Sequence, residues 1–387
     1  MTASVTSITK ARASARDRSE RFKTNNRAST VLLVLVVVLV VIGLGATQSA
    51  SSAVAFHQTE DSLYFFKRQL VGVGLGTVLL LIASRVPYRF YRKLALPLFA
   101  ATVAMLIAVL ATGTEINGAK RWLQLPFITF QPSEVAKVAV VFSLAYLLER
   151  KHRILDQFSH FLVPVLFVVG TVALLIIKQP DLGTLVVVGA AGMAVIVASD
   201  SPMRYVLALA VMAVLVTLFL AFDEAYRAVR ITSFLDPYAD SSGNGYQLIQ
   251  GYYALGNGGV FGVGLGASRA RWFYLPNAHT DFIFAIIGEE TGLVGGLTVI
   301  GLFLALGVVG WLVALRSRDR FGRMVAAGIT TWLSFQALVN VGGVLGVMPI
   351  TGIALPFVSF GSTALAVSMA GVGVLVNIAH SGVTHRR

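Results

Sequence analysis

The chain lacks cysteine altogether and is poor in charged residues. Of its 387 residues, Asp, Glu, Lys and Arg make up 13%, whereas soluble domains carry about 25%. The absence of cysteine excludes disulfide bonds and thiolate metal sites, and the six histidines have no zinc-binding spacing. Hydrophobic residues make up 56% of the chain, and the mean hydropathy is +0.78. These values indicate an integral membrane protein with many spans.

The excess of positive charge follows from that setting. The formal net charge is +13, which in a soluble protein would suggest nucleic-acid binding. In membrane proteins, however, the cytoplasmic loops collect Lys and Arg. Seven such residues lie within 1–29, a segment otherwise rich in Ser, Thr and Ala. We therefore predict no nucleic-acid partner, and a disordered basic cytoplasmic tail over 1–29 that contacts anionic membrane lipids.

Ten long apolar runs predict ten transmembrane helices, since about 17–25 residues cross a bilayer. The runs are 30–48, 65–84, 94–112, 133–149, 158–177, 183–199, 204–222, 281–315, 324–343 and 357–379. The predicted fold class is an all-α polytopic membrane protein. We expect one membrane domain over 30–380 and a cytoplasmic tail over 381–387.

The distribution of Lys and Arg around these runs predicts the orientation. Most basic residues lie on one side of the predicted membrane, at 1–29, 85–93, 150–153 and 316–323. The positive-inside rule then places both termini in the cytoplasm. The longest loop, 223–280, faces outward, and loops of this length are often functional. We expect part of it to be helical, around Tyr246–Leu255.

A carboxylate at the end of that loop is the strongest candidate for a functional residue. Asp281 begins the apolar run 281–315, directly after His279 and Thr280, and ionisable groups at a membrane boundary are functional candidates by default. On an ideal helix Asp281 would head a stripe of small residues, which also fits a packing seam with Asp281 as the helix N-cap. The residues alone leave both interpretations open.

The run that Asp281 begins contains two further carboxylates, Glu289 and Glu290. We expect these to pair with arginines of the outer loop rather than to take part in chemistry. His279 has three open roles, namely orienting Asp281, binding a phosphate or simply forming the loop. As one helix the run would be about 50 Å long, against a hydrocarbon core of about 30 Å, so Asp281 would reach the outer headgroups.

A second polar cluster lies where an outward loop enters the fourth predicted span. Its members are Lys120, Arg121, Trp122, Gln131, Glu134 and Lys137. Glu134 and Lys137 are three residues apart and can pair on one helix face. The alternative is that Lys120, Arg121 or Lys137 holds a diphosphate, because Arg suits bidentate phosphate contacts.

Two more clusters fall on the outward side. One is the turn 178–184, which includes Gln179 and Asp181 and also fits a tight turn between spans. The other is 348–362, whose prolines and glycines predict a broken or re-entrant element. A transporter would tend to place polar residues near the membrane midplane. The outward placement of all four clusters favours a site that handles a polar group at the membrane surface.

The order of these motifs along the chain resembles that of the FtsW/RodA family, the glycosyltransferases of cell shape, elongation, division and sporulation. The matching segments are 118–122, 131–137, 179–184, 245–250, 262–266, 275–290 and 352–359. Each motif is weakly specific, whereas the ordered set is highly specific. The runs 274–276 and 286–290 look more like FtsW, the division member, than RodA.

The resemblance implies a peptidoglycan glycosyltransferase that polymerises lipid II into glycan strands at the outer leaflet. It implies a multi-pass protein of the bacterial plasma membrane, at the division septum. The implied partners are lipid II, glycan linked to undecaprenyl diphosphate, a class B penicillin-binding protein and other divisome proteins. It also implies that Asp281 is the key catalytic residue; as the base of an inverting transfer, it would take the proton of the acceptor hydroxyl.

The departing diphosphate needs positive charge, and several sources are open. These are Arg121, Lys120, Lys137, a loop arginine, or a divalent cation such as Mg²⁺ or Mn²⁺. The matched motifs assign these residues to substrate binding: Lys120, Arg121, Trp122, Gln131, Glu134, Lys137, Gln179, Asp181, Gln247, Gln250, His279, Thr280 and Ser359. Two other functions remain open, a lipid II flippase and a division scaffold without activity.

The chain departs from the family pattern at two places. Asn277 stands where the family usually has Glu, which removes a carboxylate from the loop. The last motif reads Ser-Phe-Gly-Ser-Thr over 359–363, rather than Ser-Tyr-Gly-Gly-Ser. Both changes affect the local loop geometry, and both leave Asp281 in place.

Overall fold

The computed structural model describes residues 2–381 with a few gaps. The backbone is described except at 117–118, 125–128, 224, 244 and 273, and side chains are described from Arg27 onward, with further gaps at 116 and 225–228. The predicted cytoplasmic tail over 381–387 lies, beyond Ser381, outside the described residues.

Helices make up most of the described structure, which confirms the predicted all-α class. They are α1 (Thr2–Thr59), α2 (Tyr64–Arg85), α3 (Tyr91–Thr112), α4 (Pro132–Arg150), α5 (Phe158–Val165), α6 (Thr171–Ile177), α7 (Leu182–Val197), α8 (Met203–Asp223), α9 (Ala225–Leu235), α10 (Tyr246–Gly258), α11 (Ile283–Arg316), α12 (Arg320–Val344) and α13 (Ser362–Ser381). A π-helical segment, Leu166–Gly170, joins α5 to α6. Short 3₁₀ turns cover Tyr88–Phe90 and Pro237–Asp240.

Each predicted span coincides with a helix, and the run 158–177 with α5 and α6 together. Within the described residues, eight helices are long and apolar enough to cross a membrane. The other two predicted spans are α7, which is only 16 residues long, and α4, which carries charged side chains near both ends. The protein is therefore a multi-pass membrane protein.

Helix α1 continues well beyond the first predicted span. A helical backbone runs from Thr2 to Thr59, so it covers the segment 1–29 and also the polar residues after 48. No break of secondary structure marks the proposed boundary at residue 30. The side chains of residues 2–26 lie outside the described ones, and the disorder of this tail stays a prediction.

The centre of the bundle includes α12 and α13, and its periphery includes α8. The most apolar windows of α12 and α13 are 78% and 83% buried, whereas that of α8 is 6% buried. Small residues let helices approach closely in membranes. At Gly328 of α12 a Cβ would lie only 2.7 Å from Val195 of α7 and 2.8 Å from Val141 of α4. Glycine at this position therefore permits three helices to meet.

Helix α11 is broken near its outer end, which corrects the expectation of one continuous helix from residue 281. Gly292 has φ 68° and ψ −164°, outside the helical region, and a Cβ there would lie 2.4 Å from the Val260 carbonyl oxygen. The break separates a short helix, 283–291, from a spanning helix, 293–316. Asp281 precedes both of them, so the predicted stripe headed by Asp281 does not form on one straight helix.

The long outer loop is largely structured. It contains α9, the turn Pro237–Asp240 and α10, which confirms the helix expected around Tyr246–Leu255. Asp236 begins the turn, and its Oδ1 accepts hydrogen bonds from the backbone amides of Tyr238 and Ala239, both at 3.2 Å. The loop thus forms a cap of helices over the outer end of the bundle.

A small antiparallel sheet was not predicted from the sequence. Its strands are β1 (Thr114–Ile116), β2 (Ala119–Gln124) and β3 (Thr129–Phe130), in the order β1–β2–β3. It lies in the outward loop between α3 and α4, and it carries Lys120, Arg121 and Trp122. Its short strands fall outside the apolar runs, which is why a search for membrane spans passes over them.

Candidate functional site

Asp281 lies in a tight turn just before α11. The turn forms because Asn277 adopts a left-handed conformation, φ 53°, which Asn tolerates better than most residues. The Asn277 carbonyl oxygen then accepts a hydrogen bond from the Thr280 amide at 3.0 Å. The Thr280 hydroxyl donates to Asp281 Oδ1, also at 3.0 Å. This contact helps to orient the carboxylate.

The main chain of the turn is fixed by three neighbouring residues. Asn340 Nδ2 donates to the Asp281 carbonyl oxygen at 2.9 Å. The Ser359 hydroxyl donates to the Thr280 carbonyl oxygen, and the Phe360 amide donates to the His279 carbonyl oxygen at 2.9 Å. Helix α12, through Asn340, and the irregular segment between α12 and α13 therefore support the turn. Such support is expected of a broken element that is buried in protein.

The contacts of Asp281 do not match those of a helix cap. The N-cap of α11 is Phe282, which makes no side-chain cap hydrogen bond. The Asp281 carboxylate instead accepts from Thr280 and lines a cavity. The interpretation of Asp281 as the N-terminal cap of a packing seam is therefore wrong.

The cavity beside Asp281 has a volume of about 490 Å³ and opens on the side that the positive-inside rule assigns to the outside. It lies between α9, α10, the turn before α11 and Ile350. The polar side chains in its wall are Arg230, Ser233, Tyr246, Gln247, Asn277 and Asp281. Its size suits a small polar group, within the range of ligand pockets.

Arg230 and Asp281 both lie close to Gly352. A Cβ built on Gly352 would lie 3.8 Å from Asp281 Oδ2 and 4.0 Å from Arg230 Nη1. Gly352 itself has φ +71°, a conformation that favours glycine. Glycine at this position therefore leaves open the space beside both the carboxylate and the guanidinium.

Burial raises the pKa of Asp281 to about 6, because the charged form loses solvation. The Thr280 hydroxyl and the positive charge of Arg230 oppose this shift and lower the pKa. A carboxylate with a pKa near the working pH is suited to proton transfer. The group is ionised at neutral pH and gains basicity from its environment.

His279 is placed to pack rather than to carry charge. Its ring centroid is 4.8 Å from that of Phe65 and 5.8 Å from that of Phe360. Burial lowers its pKa to about 4, so the ring is neutral at physiological pH. A neutral imidazole between two aromatic rings supports the turn before Asp281.

Arg121, Gln179 and Asp181 form a cluster of their own. Arg121 Nε donates to the Gln179 carbonyl oxygen at 3.0 Å, and Nη2 donates to that of Pro180. Arg121 Nη1 lies 3.8 Å from Asp181 Oδ1. Asp181 in turn caps α7 by accepting from the Thr184 amide at 3.2 Å. These contacts tie the sheet to the start of α7.

Glu134 and Lys137 form a buried ion pair, with 2.7 Å between Lys137 Nζ and Glu134 Oε2. Lys137 Nζ also donates to Gln336 Oε1 at 2.9 Å, and it lies 5.1 Å from the centroid of the Trp332 ring. Gln336 Nε2 donates to the Ala354 carbonyl oxygen at 2.8 Å. The pair thus supports the segment behind Asp281 without lining the cavity.

The other predicted substrate-binding residues are dispersed. Gln247 lines the cavity, and its Nε2 donates to the Pro276 carbonyl oxygen at 3.1 Å. Lys120 is exposed on β2, opposite Glu115, and Trp122 is half-buried on the same strand. Gln131 precedes α4 without a side-chain cap, and Gln250 lies on α10. Of this group, only Gln247 meets Asp281 in the cavity wall.

The Glu289 side chain holds the loop that leads to Asp281, and the Glu290 side chain contacts α1. Glu289 accepts from the Ser268 hydroxyl and from the amides of Arg269 and Ala270, both at 3.2 Å. Glu290 accepts from the Ser49 hydroxyl on α1. The expected pairing with arginines is therefore replaced by hydroxyl and backbone donors.

Sequence reasoning did not single out Arg230 or Asn340. Arg230 counted only as one of several outward arginines, because its approach to Asp281 depends on how α9 folds over the bundle. Asn340 had a usable signal, since an amide within an apolar span is costly and usually has a specific partner. Within the described residues, no group of three or more His, Asp or Glu side chains could hold a metal.

The chain is similar in sequence to known proteins over nearly its whole length. A family model described as "Cell cycle protein", covering FtsW, RodA and SpoVE, matches residues 29–383. The probable peptidoglycan glycosyltransferase FtsW of Geobacter sulfurreducens is 39% identical, over 92% of this chain and 96% of its own length. Stage V sporulation protein E of Bacillus subtilis is 37% identical, over 90% and 96%.

The fold is also similar to that of solved structures. A chain from a peptidoglycan synthase complex that coordinates polymerization and crosslinking superposes with a TM-score of 0.74 at 32% identity, covering 91% of this chain and 97% of that one. The rod-shape-determining protein RodA of Thermus thermophilus superposes with a TM-score of 0.68 at 28% identity, covering 92% and 97%.

Proposed function

Because this chain belongs to the FtsW/RodA/SpoVE family, we propose that it is a peptidoglycan glycosyltransferase that polymerises lipid II into glycan strands at the outer leaflet. One observation supports this proposal above the others. A carboxylate with a raised pKa and a guanidinium both line one cavity at the outer end of a membrane bundle. A base and a cation are the two groups that the reaction requires.

Asp281 is proposed as the general base of an inverting transfer. The carboxylate takes the proton from the 4-hydroxyl of the acceptor GlcNAc as that oxygen attacks the anomeric carbon of the donor MurNAc. The bond from that carbon to the diphosphate oxygen breaks on the opposite face. An α-linked donor thereby becomes a β-linked product, and undecaprenyl diphosphate leaves with its electron pair.

Arg230 is proposed to stabilise the departing diphosphate. Among the cations considered from the sequence, Arg121 donates to backbone carbonyls and Lys137 is buried in an ion pair. Arg230 lies in the cavity wall with Asp281. Arg suits this role because its planar group binds phosphate oxygens in a bidentate manner.

A divalent cation was one of the open sources of positive charge. Among the ligand types that Mg²⁺ and Mn²⁺ prefer, the cavity wall offers one carboxylate, Asp281, together with amide and hydroxyl oxygens. The proposed step is therefore derived without a metal ion.

Replacing Arg230 by Ala is expected to slow polymerisation by about 10²-fold, as for the loss of one charge-stabilising donor. The measurement is the initial rate of glycan formation from purified lipid II. Lys67→Ala provides a matched control, because Lys67 is an exposed outward cation that pairs with Asp61. Equal rates for both variants would remove Arg230 from the mechanism.

The polymerisation rate is expected to rise with pH up to about 6 and then to level off. Below its pKa of about 6, Asp281 is protonated and cannot accept the hydroxyl proton, so the rate falls about tenfold per pH unit. Arg230 lowers this pKa, so Arg230→Ala shifts the inflection to higher pH. A flat profile across this range would contradict Asp281 as the titrating base.

The partner is proposed to be a class B penicillin-binding protein, which would crosslink the strands within a synthase complex together with other divisome proteins. The division septum is the proposed location, since the sequence resembles FtsW more than RodA. A fluorescent fusion tests this point: a midcell band supports the septum, whereas sidewall patches support a role in elongation.

The test of the activity is polymerisation of purified lipid II by the detergent-solubilised protein, with and without its penicillin-binding protein. Long strands that form only when the FtsW/RodA-family chain is present support the proposal. Movement of labelled lipid II across vesicles without new glycosidic bonds would favour the flippase. Neither strands nor movement from a folded protein would favour the scaffold.

A further inference from the structure

The segment 259–266, here called the glycine loop, lies against the break in α11. Its backbone makes four hydrogen bonds across this contact. The Val263 and Gly264 amides donate to the carbonyl oxygens of Glu289 and Glu290 at 3.0 and 3.1 Å. In return, the amides of residues 293 and 294 donate to the carbonyl oxygens of residues 259 and 260 at 2.9 and 3.2 Å. The backbone of the loop is thus paired although the loop is irregular.

Glycines make this close contact feasible. Gly262 has φ +82°, and a Cβ there would lie 2.1 Å from the Glu290 carbonyl oxygen. Gly264 and Gly266 also have positive φ, +107° and +75°, which favours glycine over other residues. The loop therefore presses its backbone against α11 and turns its larger side chains away.

Those side chains are apolar and unusually exposed. Phe261 is 82% exposed and Leu265 is 84% exposed, and Val260 and Val263 are also exposed. Moving one such side chain from water into an apolar environment is favourable by about 1.5–3 kcal/mol. An adjoining surface of apolar character would remove that cost.

The apolar surface of α11 continues directly from the loop. Leu293, Val294 and Leu297 are 57%, 51% and 57% exposed, and two of these residues bond to the loop backbone. From residue 293 to Arg316 the helix rises about 35 Å at 1.5 Å per residue, slightly more than a hydrocarbon core of about 30 Å. With Arg316 at the inner headgroups, the loop lies at the outer boundary of the hydrocarbon.

Two exposed aromatic residues lie close by in sequence, between the glycine loop and Asp281. Trp272 and Tyr274 are 56% and 58% exposed. Trp and Tyr are enriched at membrane–water interfaces, and the Arg271 guanidinium carbon lies 5.5 Å from the Trp272 ring centroid. This composition fits the boundary between headgroups and acyl chains.

We propose that the glycine loop inserts Phe261 and Leu265 into the outer leaflet, at the boundary between glycerol and acyl chains. The occupant of this surface is membrane lipid. Because Glu289 accepts hydrogen bonds from both sides of Arg269, at Ser268 and Ala270, the inserted loop is tied to the chain that leads to Asp281. The insertion holds the outer end of α11 at a fixed depth in the bilayer.

The absence of cysteine allows a direct test on the full-length protein. Leu265→Cys and Phe261→Cys each create one site for an environment-sensitive fluorophore, in nanodiscs of phosphatidylethanolamine and phosphatidylglycerol. Ser242→Cys, at an exposed position of the outer loop, gives the water-facing control, and Leu304→Cys, on the exposed face of α11, gives the lipid-facing control.

The expected result is quenching at 261 and 265 by lipids spin-labelled near the carbonyl level, with iodide quenching severalfold weaker than at 242. Iodide quenching equal to that at 242, at both positions, would overturn the proposal. Shielding that arises only after a penicillin-binding protein is added would also overturn it, because the surface would then bind protein. The measurement needs no activity, so it is independent of the proposed function.

Discussion

Asp281→Asn is expected to abolish glycan polymerisation while the protein remains folded. General acid–base groups contribute about 10²–10⁴-fold to a rate, and the variant amide cannot accept the hydroxyl proton. The loss is therefore expected to reach the detection limit of a gel-based strand assay. Binding of lipid II is expected to persist, because Arg230 and Gln247 keep their places in the cavity wall.

The fold should tolerate this substitution for a local reason. An amide has the shape of the carboxylate, and its oxygen can still accept the hydrogen bond from the Thr280 hydroxyl. The contact of Asn340 is to the main-chain oxygen of residue 281, which does not change. Unfolding temperature and lipid II binding should therefore match those of the wild type.

A matched control separates the effect of Asp281 from a general loss of negative charge. Glu115 is an exposed carboxylate on β1 at the same end of the bundle, outside the cavity, so Glu115→Gln should leave polymerisation intact. Wild-type rates in Asp281→Asn would contradict the assignment of the base. Lost activity in both variants would indicate that the assay reports charge rather than catalysis.

The second large effect is expected on stability, from Lys137→Met. This substitution leaves Glu134 buried without its charged partner, and breaking a buried pair in this way costs about 3–5 kcal/mol. Trp332 and Gln336 would also lose the ammonium that they now contact. A marked fall in the temperature of thermal unfolding, measured in detergent, is the expected result.

The double variant Glu134→Gln/Lys137→Met tests the cause. Removing both charges should restore most of the stability, because no unpaired charge remains buried. Polymerisation by this variant should also recover if the pair acts only through the fold. A double variant that is stable and yet inactive would instead indicate that Lys137 binds the substrate, as the sequence motif implied.

The bundle could be predicted from the sequence because lipid imposes a simple rule. Spans must be long and apolar, so the ten runs were visible without any knowledge of packing. The break at Gly292 was not visible, since it depends on the glycine loop pressing its backbone against α11. A glycine in an apolar run is common in membrane helices and does not by itself predict a break.

The candidate site divides in a similar way. Asp281 stood out because a carboxylate beside an apolar run is rare, and the motif order supported it. Arg121 looked equally suited to phosphate, yet its donors are turned to the carbonyl oxygens of Gln179 and Pro180. The sequence motifs therefore contain both residues that line the cavity and residues that only stabilise the fold. Spacing along the chain does not reveal which way a donor points.

The turn before α11 has a consequence for how this enzyme can change over evolutionary time. The carbonyl oxygens of residues 279, 280 and 281 are each held by a donor from another element, namely Phe360, Ser359 and Asn340. The path of the main chain at these three residues is thus held largely by neighbouring elements. A substitution at Thr280, whose hydroxyl donates to Asp281, can therefore alter how the carboxylate is presented to a substrate without altering the architecture around it. Asp281 and the packed ring of His279 do not have that freedom.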